Sequence, residues 1–386
     1  MKVAVIGIGT AGLQTLAYYM DVLPDDIEVY SIHNPAQKIL GIGESTTTFL
    51  PHILQRSCDF TMLGKGELLD VTTKHGVKYS NWREHSFTSN ILPPYHGMHF
   101  NNFKLADIVL EALRPKSGFY EIKGEIKSMT QNENFVMLNI DDNSYTFDYV
   151  VDCRGYPEDY SDYKMLDYLP VNHGIVNGID EPGTWQYTHH QATRNGWMFG
   201  IPLQTRQGWG YLFNDTITSV EEAKEDMQTL FDKPLSLREF SWKNYYKENI
   251  VDGRIISQGN RALFFEPLEA LSGTYYEAVC VESAAVILGE KTSVDANKKL
   301  QDIAETYCAF ICFVYHGGST FNTEFWKQTV DKTSEALHNS PYFKDVVVRM
   351  KSLVESNFTD ERIILYPISV SLWLMIDREM GYNYFK

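Results

Sequence analysis

The chain opens with KVAVI (2–6), almost unbroken apolar residues, then GIGTAG (7–12), then LQTLAYYMDVL with helical spacing. IEVYSIH (27–33) is a second strand, so the N-terminus predicts a β-turn-α-β unit. NFKLADIVLEALR (102–114) places Phe103, Ile108, Val109 and Leu113 on one helical face. From 118 to 152 the pattern alternates like a meander, ending in YTFDYVVDCRG, and 170–215 is β-rich, with WQYTHH, GWMFGIP and GWGYLFN. VEEAKEDMQTLF (220–231) is an amphipathic helix, RIISQGNRALFFEP (254–267) returns to strand, and YYEAVCVESAAVILG (275–289) reads as a buried helix. From Ser293, an expected N-cap, the remainder is mostly helical. The chain thus begins α/β, turns β-rich and ends α. The expected organisation is a core over 1–290, with the β-rich region inserted, and a helical subdomain over 291–386 packed on it.

KHGVKYSNW (74–82) raises a separate question. Val77, Tyr79 and Trp82 favour an extended strand, and Gly76 breaks any helix. One continuous strand would set 74, 76, 78, 80 and 82 on one face, so Lys74 and Lys78 would point the same way as Trp82. Taken alone, Lys74 is an ordinary strand lysine.

Composition narrows the classes. Of 386 residues, 44% are hydrophobic and 13% aromatic, enough for a sizeable interior. A net charge of −16 argues against nucleic acid as partner. Five cysteines, an odd number with no CxxC, suggest reduced thiols in a cytoplasmic setting. No stretch predicts a bilayer span, and MKVAVIGIG lacks the cleavage signal of a leader. His189-His190 and His96-x-x-His99 have no convincing third ligand, so no metal is assigned.

Gly7-x-Gly9-Thr10-Ala11-Gly12 sits between strand and helix, as a dinucleotide loop requires: a tight turn, backbone approach to a pyrophosphate, and close helix packing. The acidic residue expected after the second strand is missing, its place falling near Ser31 or His33. Two further strand ends fit the same purpose: Asp152 to Gly155, and Gly259-Asn260 with Pro267. In this order the three segments resemble the flavin contacts of glutathione-reductase-like FAD enzymes, implying a Rossmann-type α/β fold with a mixed sheet and a C-terminal helical layer.

The resemblance extends to the flavin-dependent halogenases of the tryptophan halogenase superfamily, and to their compact phage-encoded members. GESTTTFLP (43–51) resembles the family's segment beside the flavin, carrying Glu44, Ser45 and Thr46. KHGVKYSNW is similar to the family's lysine motif, with Lys74 at the catalytic position. WMFGIP (197–202) resembles WxWxIP, with Phe199 for the second tryptophan, and FFEPLE (264–269) puts Glu269 at the catalytic glutamate. The family then continues S-T-G, whereas Ala270 and Leu271 intervene here. The resemblance therefore implies halide-binding amides among Ser272, Gly273 and Thr274, and aromatic substrate contacts at Tyr95, His96, Phe100 and Trp197.

What the resemblance implies chemically is FADH2- and oxygen-dependent halogenation of an indole- or phenol-like substrate. The route runs through a flavin C4a-hydroperoxide and hypohalous acid to Lys74. FADH2 would come from a separate flavin reductase, since no second dinucleotide site is visible, and the setting would be cytoplasmic, the host's if phage-encoded. A shorter C-terminal region than in tryptophan-specific members implies a more open substrate site. The halide (chloride, bromide or iodide) and the oligomeric state are left open. Two alternatives stand beside this reading: a flavin-dependent aromatic hydroxylase, which needs neither the lysine nor a halide, and a non-catalytic flavin-binding protein.

Overall fold

The computed structural model describes residues 1–39, 41, 43–356, 364, 365 and 368–386. The chain forms two compact units, each assembled from three stretches: Met1–Val71, Phe100–Met165 and Tyr245–Gln301 make the first, and Thr72–His99, Leu166–Asn244 and Asp302–Lys386 the second.

The first unit is built on a six-stranded sheet. Its order is Val251–Asp252, Ile255–Ser257, Tyr149–Asp152, Lys2–Ile6, Glu28–His33, Phe119–Lys123. All neighbours run parallel except the first pair. Val3, Ala4 and Val5 are wholly buried, as a parallel strand covered on both faces requires. On one face, Ala4, Ile6, Ile32 and Val150 pack against Val136, Leu138, Ile140 and Phe147 of a three-stranded antiparallel layer. The helix Thr10–Val22 packs along Leu271–Ile287, with Tyr19 Oη 2.6 Å from Ser283 Oγ.

The meander expected over 118–152 is divided. Phe119–Lys123 pairs parallel with Val29–His33, which a hairpin neighbour could not do, and Tyr149–Asp152 returns to the same sheet. Only 126–147 form the antiparallel layer. The C-terminal helical stretch begins at its expected cap, Ser293, so the cap itself lies one residue earlier. Thr292 Oγ1 accepts from the Asp295 amide at 3.1 Å and the Thr292 carbonyl accepts from Ala296, so Thr292 rather than Ser293 caps Ser293–Tyr315.

The second unit holds a seven-stranded sheet ordered Arg238–Ser241, His173–Ile179, Gln207–Phe213, Gly196–Pro202, Thr188–Thr193, Gly76–Ser80, Phe87–Asn90. Every pair is antiparallel except Thr188–Thr193 with Gly76–Ser80. Against one face, Ile175, Met198, Tyr211 and Phe213 meet Ala223 and Met227 of the helix Val220–Gln228, which a Ser219/Glu222 capping box starts. Trp82 and Trp326 tie the sheet to the C-terminal helices. Their indole N–H groups donate to the His190 and Thr193 carbonyls at 3.1 and 2.8 Å, and their rings meet edge to face 5.3 Å apart.

KHGVKYSNW is not one strand. Thr72–Lys74 pairs with Gly97–His99, and Gly76–Ser80 belongs to the seven-stranded sheet. Between them Gly76 takes φ +150°, where an added Cβ would lie 1.8 Å from the Ser89 carbonyl oxygen. The alternation therefore restarts at the joint: Lys74 and Trp82 are buried while Lys78 is exposed. The expectation that both lysines share a face with Trp82 is corrected on that ground.

Candidate functional site

Three strand ends of the first unit converge. The Gly7 amide donates to the Ile32 carbonyl at 2.8 Å, Cys153 to Ile6 at 2.9 Å, and Gln258 to Asp152 at 3.0 Å. The loop admits nothing larger than glycine where it closes. A Cβ on Gly12 would sit 2.0 Å from the Gly7 carbonyl oxygen, and one on Gly7 (φ +97°) 2.9 Å from that of Cys153. Gly259 meets Ala11 in the same way, at 2.7 Å. Gly9 and Gly155, by contrast, have open space where a side chain would be. Thr10 and Ala11 open the helix behind this loop, so first-turn amides without intrahelical acceptors stand there.

The other expected cofactor residues are placed as follows. Asp152 is buried and receives both Nε and Nη2 of Arg154 at 2.8 Å, with Arg261 Nε at 3.6 Å. Burial alone would raise its carboxyl, but Arg154's hydrogen bonds and charge, with Arg261, hold it below the ordinary value. Asn260 Oδ1 accepts from Tyr276 Oη at 2.8 Å. Glu44 and Thr46 are buried and Ser45 half-buried, and the Glu44 carbonyl accepts from the Phe100 amide at 3.0 Å. Neither Arg154 nor Arg261 is among the residues expected from the sequence, although each stands inside a run singled out there, DCRG (152–155) and GNR (259–261).

Downstream, Pro267 leads into Glu269 at φ 55°, ψ 14°, and Ala270 at φ 56°, ψ 31°. Consecutive left-handed residues that are not glycine each cost about 1–3 kcal/mol and persist only where the surroundings impose them. The two intervening residues are absorbed here: Ala270 becomes the N-cap and Leu271 the first residue of a 17-residue helix. Ser272, Gly273 and Thr274 then fall in its first turn; the Ser272 and Gly273 amides have no intrahelical acceptor, whereas Thr274, the fourth helical residue, is placed to donate to the Ala270 carbonyl. Ser272 Oγ is buried with no hydrogen-bond partner, and a Cβ on Gly273 would meet open space.

In the second unit Lys74 is 3% exposed. The ladder Thr72↔His99, Thr73↔Met98, Lys74↔Gly97 sets Lys74, Thr72 and His99 on one face. His99 is fully buried, its Nδ1 3.1 Å from Thr72 Oγ1 and its Nε2 2.9 Å from Thr188 Oγ1. Burial first, then the Lys74 charge and His189, hold His99 far below its ordinary pKa; the same three causes act on buried His190. His189, opposite exposed Lys78, is pushed down to about 4 by burial and then by Lys78. Trp197 is fully buried, its ring 4.6 Å from His190, and Phe199 pairs with His190 across the sheet. Of the expected substrate contacts, Tyr95 is 64% exposed, His96 half-buried and Phe100 fully buried. In the sequence His99 and His190 stand out only as members of histidine pairs that lack a third ligand. Among the described residues no group of three His, Cys, Asp or Glu side chains could hold a metal, and no helix is long and apolar enough to cross a membrane.

This arrangement has known relatives. A family model described as tryptophan halogenase matches residues 83–359. A tryptophan 6-halogenase of Streptomyces albogriseolus is 21% identical, over 84% of this chain and 78% of that one. A tryptophan 7-halogenase of Lentzea aerocolonigenes is 19% identical over the same shares. Among solved structures, a flavin-dependent halogenase from Xanthomonas campestris superposes with a TM-score of 0.82 at 15% identity, covering 98% of this chain and 88% of that one. The chain belongs to the tryptophan halogenase family of flavin-dependent enzymes and is an oxidoreductase.

The loop geometry carries a prediction. Gly12→Ala forces a methyl into the Gly7 carbonyl, an overpacking cost of about 1–3 kcal/mol. Fluorescence titration should show FAD affinity about five- to 150-fold weaker, by that same energy. Wild-type affinity would mean that the loop does not hold the cofactor.

Proposed function

We propose that this enzyme uses FADH2 from a separate flavin reductase, oxygen and a halide to halogenate an electron-rich, indole- or phenol-like aromatic. The observation that carries the reading is a lysine buried beside imidazoles kept neutral, in a chain of this family. The residues fit the cofactor: open space at Gly9 and Gly155 leaves the backbone free for a pyrophosphate beside the first-turn amides of Thr10 and Ala11. When bound, flavin supplies the oxidation of halide to hypohalous acid, which no side chain can perform.

The chain's own groups do the rest. First-turn amides at Ser272 and Gly273, with the Ser272 hydroxyl, offer donors to a halide ion, and Thr274, whose amide closes the first helical turn, can add only its side-chain hydroxyl. Lys74 receives the oxidant, as an ammonium donating a hydrogen bond or as an amine taking the halogen; a desolvated lysine can serve either way, whereas arginine stays charged. Glu269 orients the oxidant or accepts the proton that leaves the ring carbon as the carbon–halogen bond forms. Tyr95, His96 and Trp197 are the substrate-facing candidates on the Lys74 unit.

Mass spectrometry of an aromatic panel, with each halide in turn and a reductase recycling FAD, tests the reading. The expected product gains one halogen in place of hydrogen and forms only when halide is present. Oxygenated product without halide would make the enzyme a hydroxylase instead.

A further inference from the structure

Lys74 does not stand alone on its face of the ribbon. Across the ladder lies His99, on the same side and fully buried, with both ring nitrogens engaged. The direction of each bond can be worked out. Thr72 Oγ1 donates its one proton to the Pro202 carbonyl at 2.6 Å, so towards His99 it is an acceptor. Nδ1 therefore carries the proton. In a neutral imidazole Nε2 is then bare, and it accepts from Thr188 Oγ1.

The chain Thr188 to His99 to Thr72 to Pro202 runs one way and fixes ring orientation and tautomer together. It joins the two-stranded ribbon of 72–74 and 97–99 to the stretch 188–202, which pairs in the seven-stranded sheet.

We infer that His99 is a positioning residue for Lys74: a tautomer-locked, neutral imidazole that fixes the wall against which the amine meets the oxidant. The inference rests on the role proposed for Lys74. Two physical consequences follow from the lock. A neutral ring does not repel an ammonium across the ladder, as an imidazolium would. A bare imidazole nitrogen is itself a nucleophile towards electrophilic halogen, and the Thr188 hydroxyl occupies that lone pair. The ring beside the amine is thereby kept from competing for the halogen. His190, which also feels the Lys74 charge, lacks this protection: its Nδ1 is buried without a partner. Of these two buried rings, His99 is the one with both nitrogens engaged.

The test compares wild type, His99→Phe, His99→Gln and Thr188→Val with a common FADH2 supply and bromide. Halogenated arene, oxygen uptake and hypohalous acid released to a scavenger are measured together. His99→Phe should lower arene product per oxygen consumed about ten- to a hundredfold, as loss of precise placement does, while released oxidant rises. His99→Gln, which keeps one donor and one acceptor, should recover most of the ratio. Thr188→Val, which removes only one hydroxyl, should lower it in the same sense, so the test stands even where His99→Phe fails to fold. A His99 that is merely structural would reduce oxygen uptake and product together at an unchanged ratio, in both His99→Phe and Thr188→Val, and that result overturns the inference. Wild type without halogenated product would overturn the Lys74 role itself.

Discussion

Lys74→Ala should keep FADH2-dependent oxygen uptake near the wild-type rate while halogenated product falls about 10²–10⁴-fold, the range that removal of a group acting on the reacting atoms costs. The separation is expected because Lys74 belongs to the second unit, whereas the loop of Gly7 to Gly12 and the turn at Ser272 belong to the first. Lys74 is 3% exposed, so truncation also removes buried aliphatic stem. Lys74→Met controls for this by filling the same space without the amine, and it should be as inactive as the alanine variant. Product at the wild-type rate in either would refute the role. A joint fall in oxygen uptake and product would show damage to flavin chemistry instead.

Glu269→Gln should slow halogenation about 10²-fold, the lower end of what a positioned acid or base contributes, with FAD affinity unchanged by fluorescence titration. The amide keeps size and shape, so the left-handed backbone at 269 and 270 is not disturbed. Only the charge and the ability to take a proton are lost. Backbone strain at a buried carboxylate next to the helix start at Leu271 points to a constraint worth its cost. Weakened FAD binding in this variant would instead make Glu269 a structural residue of the cofactor turn.

The parts of this molecule legible in its sequence are those whose chemistry is local. Strand, glycine loop and helix follow one another within 22 residues, and the strand end at Asp152 reads as such because the apolar run stops there. The stretch 254–267, expected as strand, divides instead into Ile255–Ser257, a turn at Gly259–Arg261 and Leu263–Phe264 of another sheet. The turn after Glu269 was legible as an anomaly, two extra residues, but not its resolution into a left-handed cap. What failed depended on register. The shared face of Lys74 and Lys78 assumed one strand, and Gly76 at φ +150° joins two strands of different sheets. Phe119–Lys123 alternates like its neighbours, yet pairs parallel with a strand about ninety residues earlier, a choice no local pattern encodes. His99, Thr188 and Thr72 could not be linked in advance, because only the folded ladder brings the three stretches together.

The central claim is that hypohalous acid is handed on within the protein through Lys74 rather than released. Wild-type enzyme should therefore be run with halide, substrate and FADH2 while a small, fast scavenger of hypohalous acid is added at rising concentration. Delivery through Lys74 predicts arene product that persists, with little scavenger consumed, until the scavenger far exceeds the substrate. Product that falls in proportion to scavenger, with scavenger halogenated one for one in its place, would mean that the oxidant escapes before it reacts and would contradict the account.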